Sequence, residues 1–119
     1  MIIGIGTDII EIERLEKAIS SEKFKQKVFG VNEIAAHGNS AASLAGNFAA
    51  KESFAKAMGC GVRGFSLAEI QVLRNSLGKP IISLHGSAKQ KADELGVSEI
   101  HVSISHCVSY ATAVVVLEK

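Results

Sequence analysis

Three charged side chains raise the possibility of chemistry. Asp8 interrupts the apolar run MIIGIGTDII, and Glu52 and Lys56 stand one turn apart in the alanine-rich stretch FAAKESFAKAMG, Phe48 to Gly59. Two carboxylates are hard oxygen ligands of the kind Mg2+ takes, usually completed by waters and substrate phosphates. A neighbouring lysine would meet a phosphate oxygen as a point charge. Each residue also has a plain structural reading. Asp8 can end a strand, cap the next helix or meet an arginine. Glu before Lys at i,i+4 is a common surface pair worth about 0.2–0.5 kcal/mol.

The elements that must position these residues can be read from pattern. Met1 to Ile12 is rich in isoleucine and reads as a strand. Residues of one parity share a strand face, so Asp8 lies with Gly4 and Gly6. That face is bare beside the acid, and a ligand or another backbone can approach it. Ile3 and Ile5 then point the other way, into the expected core. Ser40 to Met58 is the longest helical signal, stopped by Gly59 and Gly61. At about 100° per residue, Leu44, Phe48, Ala55 and Met58 form an apolar stripe. Glu52 sits at one edge of the stripe. Lys51 borders the other side, and the pattern gives it no role.

Around these two elements, IERLEKA is helical, and Ser21 caps a second short helix through about Val28. Gly30 to Ser40 carries the loop signals Gly30, Asn32, Gly38 and Asn39. A strand is expected around Ile70 to Leu73, then the turn SLGKP, the strand IISLH, and a helix from Ser87 to Leu95 ending at Gly96. EIHVSIS and YATAVVVLE complete a hairpin around His106 to Ser109. The order β-α-α-α-β-β-α-β-β is not a βαβ alternation. It predicts a single α+β domain over 1–119, a largely antiparallel sheet packed with helices.

Composition narrows the function. The chain has 119 residues, 47% of them apolar, enough for one folded core. A net charge of +1 argues against a dedicated nucleic-acid binder. Cys60 and Cys107 are far apart without CxxC spacing and read as reduced thiols. No stretch reaches the roughly 18 apolar residues of a membrane span, and no signal peptide is visible. The expectation is a cytoplasmic protein that binds neither membrane nor nucleic acid. His101 and His106 are five apart, on opposite faces of a strand, which disfavours a shared two-histidine metal site. His37 and His85 read as loop or surface residues.

Three stretches, in order, carry a resemblance: GIGTDIIEIERLEKAI, LAGNFAAKESFAKAMGCG and VSISHCVSYATAVVVLE, with GFSLAEIQV…NSLGKPII between the last two. Together they resemble the holo-[acyl-carrier-protein] synthases, a small bacterial group of 4′-phosphopantetheinyl transferases. The resemblance implies an α+β enzyme, commonly trimeric, with active sites at subunit interfaces. It implies transfer of 4′-phosphopantetheine from coenzyme A to a serine of apo acyl carrier protein, releasing adenosine 3′,5′-bisphosphate, in fatty acid biosynthesis. By the same resemblance Asp8 and Glu52 would hold Mg2+ and Lys56 would stabilise the diphosphate. Either Glu52 or a metal-bound water would take the serine proton. Coenzyme A would be met by Lys56, Gly59, Lys79 and Pro80, and by Ser105 and His106, often from a neighbouring subunit.

Arg14 would dock the acidic carrier protein, extended by Lys23, Lys25 and Lys27. Structural readings stand beside these. Gly78 to Pro80 is a turn by composition, His106 a hairpin end bonded to backbone, Arg14 a partner of Glu11 or Glu13, and the lysines a solvated face. Asn47 departs from the family pattern by replacing an arginine, and NEIAAHGNSAAS lacks the usual basic residues. This predicts fewer phosphate contacts on the nucleotide, or contacts from elsewhere such as Arg63. The competing classes are a coenzyme A-binding module without catalysis and a structural trimeric domain.

Overall fold

Residues 1–119 are described by a computed structural model. The isoleucine-rich opening forms strand β1 (Ile2–Glu11). It runs directly into α1 (Ile12–Ala18). Ser21 caps α2 (Glu22–Val28) by accepting the Phe24 N–H. Then come α3 (Val31–His37) and α4 (Ala41–Ala57), the latter capped by Ser40. A 3-10 turn at Leu67–Glu69 leads to β2 (Ile70–Arg74) and β3 (Pro80–Leu84). α5 (Gly86–Leu95) stops at Gly96, whose φ of +80° favours glycine. β4 (Glu99–His106) and β5 (Tyr110–Glu118) close the fold.

The strands form two antiparallel sheets, ordered β1-β5-β4 and β2-β3. The expected α+β architecture is therefore present. No helix is long and apolar enough to cross a membrane. Both cysteines are free, Cys60 half-buried and Cys107 exposed.

α4 lies across the larger sheet and fixes the site. A Cβ on Gly4 would fall 1.9 Å from the Ala57 carbonyl oxygen, and one on Gly6 1.9 Å from that of Ser53. The glycine face of β1 is thus occupied by a helix backbone. This corrects the expected facing of the isoleucines. Ile5 and Ile9 are 68% and 65% exposed, because the core lies on the glycine side. Ile3 does pack against the core, since the register slips between Ile2 and Gly4.

Two further expectations are corrected. Gly30 to Ser40, where the loop signals left no element readable, holds α3, a fourth helix between β1 and β2. The Glu33 carboxylate accepts the Gly30 N–H at 3.0 Å and closes the first turn. His37 accordingly ends a helix, with Nε2 buried and unpartnered, while His85 is exposed at the start of α5. Nor does α4 carry one apolar stripe. It is buried on two sides, with Ala49, Ala50 and Ala57 letting backbones approach and Leu44 and Phe54 filling the core.

Candidate active site

β1 and α4 bring the predicted acids together. Asp8 is on the β1 parity that faces α4, with its side chain 20% exposed. Lys56 Nζ, half-exposed, donates to the Thr7 carbonyl at 3.0 Å and to Asp8 Oδ1 at 3.3 Å. Lys56 therefore reaches across to the strand, and its hydrogen-bonded partner is Asp8 rather than Glu52. Glu52 is half-buried. Burial pushes its carboxyl above the ordinary range, repulsion from Asp8 adds to this, and Lys56 opposes it. The two acids thus sense each other and one lysine.

Asp8 and Glu52 line the same cleft, of about 360 Å³. Leu15, Ala18, Phe24 and Phe48 give it an apolar wall, and Arg14 borders it. Of this wall only Phe48, on the predicted apolar stripe, was read from sequence; Leu15, Ala18 and Phe24 were not. Two mutually repelling carboxylates beside a half-exposed ammonium suit a divalent cation with a phosphate ligand. Lys56 takes Oδ1 of Asp8 and leaves Oδ2.

The other predicted residues lie elsewhere. Gly59 follows α4 at φ +82°, with open space where a side chain would stand. Lys79 and Pro80 sit at the β2–β3 turn, which Asn75 closes by accepting the Leu77 and Lys79 N–H groups. They line a separate cavity of about 510 Å³ with His101 and Val102. Ser105 and His106 are exposed at the end of β4. None of Lys79, Pro80, Ser105 or His106 lines the Asp8–Glu52 cleft of its own chain. Arg63 is exposed in the bend after α4, and Lys25 donates to the Gly38 carbonyl at 3.0 Å.

Lys51 is corrected outright. It does not stand at the border of an apolar stripe; it is fully buried. Its Nζ meets Glu33 Oε1 at 2.5 Å and donates to the carbonyls of Leu67, at 2.9 Å, and Ile70. Burial pushes the amine pKa down, and Glu33 pushes it back up. Asn47 is buried in the same network. It donates to Glu33 Oε2 and to the Val72 carbonyl, both at 3.0 Å, and accepts from Arg74 Nη2 at 2.9 Å. The residue that departs from the family pattern thus turns its amide to protein partners rather than to the cleft. A further cluster, missed from sequence, joins Glu118 and Glu99 to His101 at 2.6 and 3.5 Å, on the opposite face of the sheet.

A family model described as the 4′-phosphopantetheinyl transferase superfamily matches residues 4–115. The chain belongs to this superfamily. It is 46% identical to a holo-[acyl-carrier-protein] synthase of Fusobacterium nucleatum, over 98% of this chain and 99% of that one. A synthase of Clostridium beijerinckii is 49% identical, over 99% and 98%. Among solved structures, the synthase of Neisseria meningitidis superposes with a TM-score of 0.91 at 34% identity, covering all of both chains. That of Helicobacter pylori, in complex with coenzyme A, gives 0.85 at 33% identity, over 96% of this chain and 99% of that one. The superfamily resemblance read from the three motifs holds across the fold.

Proposed function

We propose that this chain transfers 4′-phosphopantetheine from coenzyme A to a serine of apo acyl carrier protein, releasing adenosine 3′,5′-bisphosphate, as a cytoplasmic step of fatty acid biosynthesis. The observation that carries the reading is that Asp8 and Glu52 line one cleft, with Lys56 bonded to Asp8. Asp8 and Glu52 would hold Mg2+. When bound, the ion neutralises diphosphate charge.

The chain's own groups do the rest. The serine oxygen bonds to the β-phosphorus, and the bond from that phosphorus to the bridging oxygen breaks. Lys56 swings its half-exposed ammonium to the diphosphate as charge shifts to the leaving oxygen. The serine proton passes to Glu52 or to a water in the cleft. Arg14 meets an acidic surface of the carrier, and the wall of Leu15, Phe24 and Phe48 takes an apolar group beside the serine.

The exposed sheet face supports assembly. Ile5, Ile9 and Val114 share it and would be covered in a homotrimer. A neighbouring copy would then supply Lys79, Pro80, Ser105 and His106 to the coenzyme A, completed by Gly59. The test is to mix the protein with apo carrier, coenzyme A and Mg2+ and weigh the carrier by mass spectrometry. A gain of one phosphopantetheine mass is expected, and no gain overturns the reading.

A further inference from the structure

Glu52 is bracketed in sequence by two fully buried polar side chains, Lys51 and Ser53, tied to opposite layers of the fold. Lys51 ties α4 to α3 through Glu33, and to the chain entering β2 through the carbonyls of Leu67 and Ile70. Ser53 Oγ lies 2.7 Å from the Ala49 carbonyl oxygen and 3.1 Å from that of Ala113 on β5. One turn before Lys51, Asn47 repeats the tie to Glu33 and β2.

A helix on a sheet has two soft rigid-body motions, sliding along its axis and rolling about it. Neighbouring helical residues differ by about 100° in direction, so ties at 51 and 53 flank Glu52 on either side. A roll of about 20° on the ~2.3 Å backbone radius would carry the Glu52 Cα by about 0.8 Å. A displacement of about 1 Å at a reacting centre can cost a hundredfold in rate.

Stability alone does not call for this arrangement. A buried ion pair must overcome desolvation of both charges, and a packed apolar pair is often as stable. What apolar packing lacks is direction. Lys51 spends its three donors on three fixed acceptors, and Glu33 uses both oxygens, on Lys51 and Gly30 with one and Asn47 with the other. We infer that the buried Lys51–Glu33 pair is a positioning device that sets the roll of α4 and so holds Glu52 against Asp8. This rests on the metal-dependent transferase reading above.

The test uses Lys51→Met with Glu33→Gln, which removes both charges together and leaves no buried ion unpaired. Three quantities are read: thermal unfolding, Mg2+ affinity by calorimetry without coenzyme A or carrier, and transfer kinetics. The double variant should fold, bind Mg2+ roughly 10–100-fold more weakly, and lose kcat by a similar factor with KM for the carrier little changed. Should it fail to fold, Glu33→Gln alone carries the test, because it keeps the shape of the network while removing the ion pair, and the same loss of Mg2+ affinity in the folded fraction is expected. Wild-type Mg2+ affinity and kcat in a folded variant, or losses no larger than its unfolded fraction, overturn the positioning role. A wild-type chain that transfers nothing overturns the transferase reading instead.

Discussion

Gly6 and Ser53 are in backbone contact: a Cβ on Gly6 would sit 1.9 Å from the Ser53 carbonyl oxygen. The strand that bears Asp8 and the helix that bears Glu52 are therefore held together by the absence of a side chain. The obstacle is backbone, which cannot rotate aside. Gly6→Ala should destabilise the fold by about 1–3 kcal/mol or more, read as a lowered denaturation midpoint. It should also weaken Mg2+ binding, because the helix must lift from Asp8.

Lys56 is half-exposed, so its ion pair with Asp8 contributes little to folding, about 0–1 kcal/mol. Lys56→Ala should leave melting almost unchanged while kcat falls roughly 10²–10³-fold. Comparing unfolding curves with single-turnover rates checks both halves.

Glu52 carries a functional cost. Burial first, and Asp8 second, make the folded state hold its proton more tightly than the unfolded chain does. Stability from this group is full below the ordinary glutamate range and is lost as pH rises through the raised folded value. Glu52→Gln should therefore make the metal-free protein more stable than wild type at neutral pH. The gap should close as pH falls toward about 4, near the unperturbed glutamate value. Denaturation with EDTA across pH measures it. The same variant should lose at least about a hundredfold in Mg2+-dependent transfer.

The outer sheet face predicts assembly. Ile5→Glu places a charge on that face without touching the cleft. Light scattering should show a trimer for wild type and smaller species for the variant, with transfer lost because no neighbour supplies Lys79 and His106. A fully active monomer would remove the neighbour from the site.

Arg14→Ala should raise KM for the carrier by roughly tenfold with little change in kcat. It should also flatten the salt dependence of kcat/KM, since exposed charges are screened within about 10 Å at 0.1 M salt.

Much of the site was legible in sequence, for reasons that differ by residue. Asp8 stood out because an acid in an isoleucine-rich strand needs a reason, and parity put it beside Gly4 and Gly6. The same parity misdirected the isoleucines. Large apolar side chains ordinarily mark the core face, but here glycine marks it, since the core partner is a helix backbone. Lys51 was illegible because lysine on a helix is ordinarily solvated. Its partner Glu33 is 18 residues away. That partner sits in α3, which glycine and asparagine disguised as a loop. A buried ion pair between distant residues has no local period to reveal it.

β1 has a single neighbour in its sheet, β5. The Thr112 hydroxyl donates to the Asp8 carbonyl at 2.8 Å, closing 104 residues of chain. Helices can form within microseconds, whereas such a distant pairing must first overcome loop-closure entropy. The site should therefore be among the last parts of the molecule to assemble. In refolding, helical signal should return before Mg2+ binding does, and a chain whose β5 has not docked would hold β1 on α4 without the sheet partner that fixes Asp8 in the proposed site.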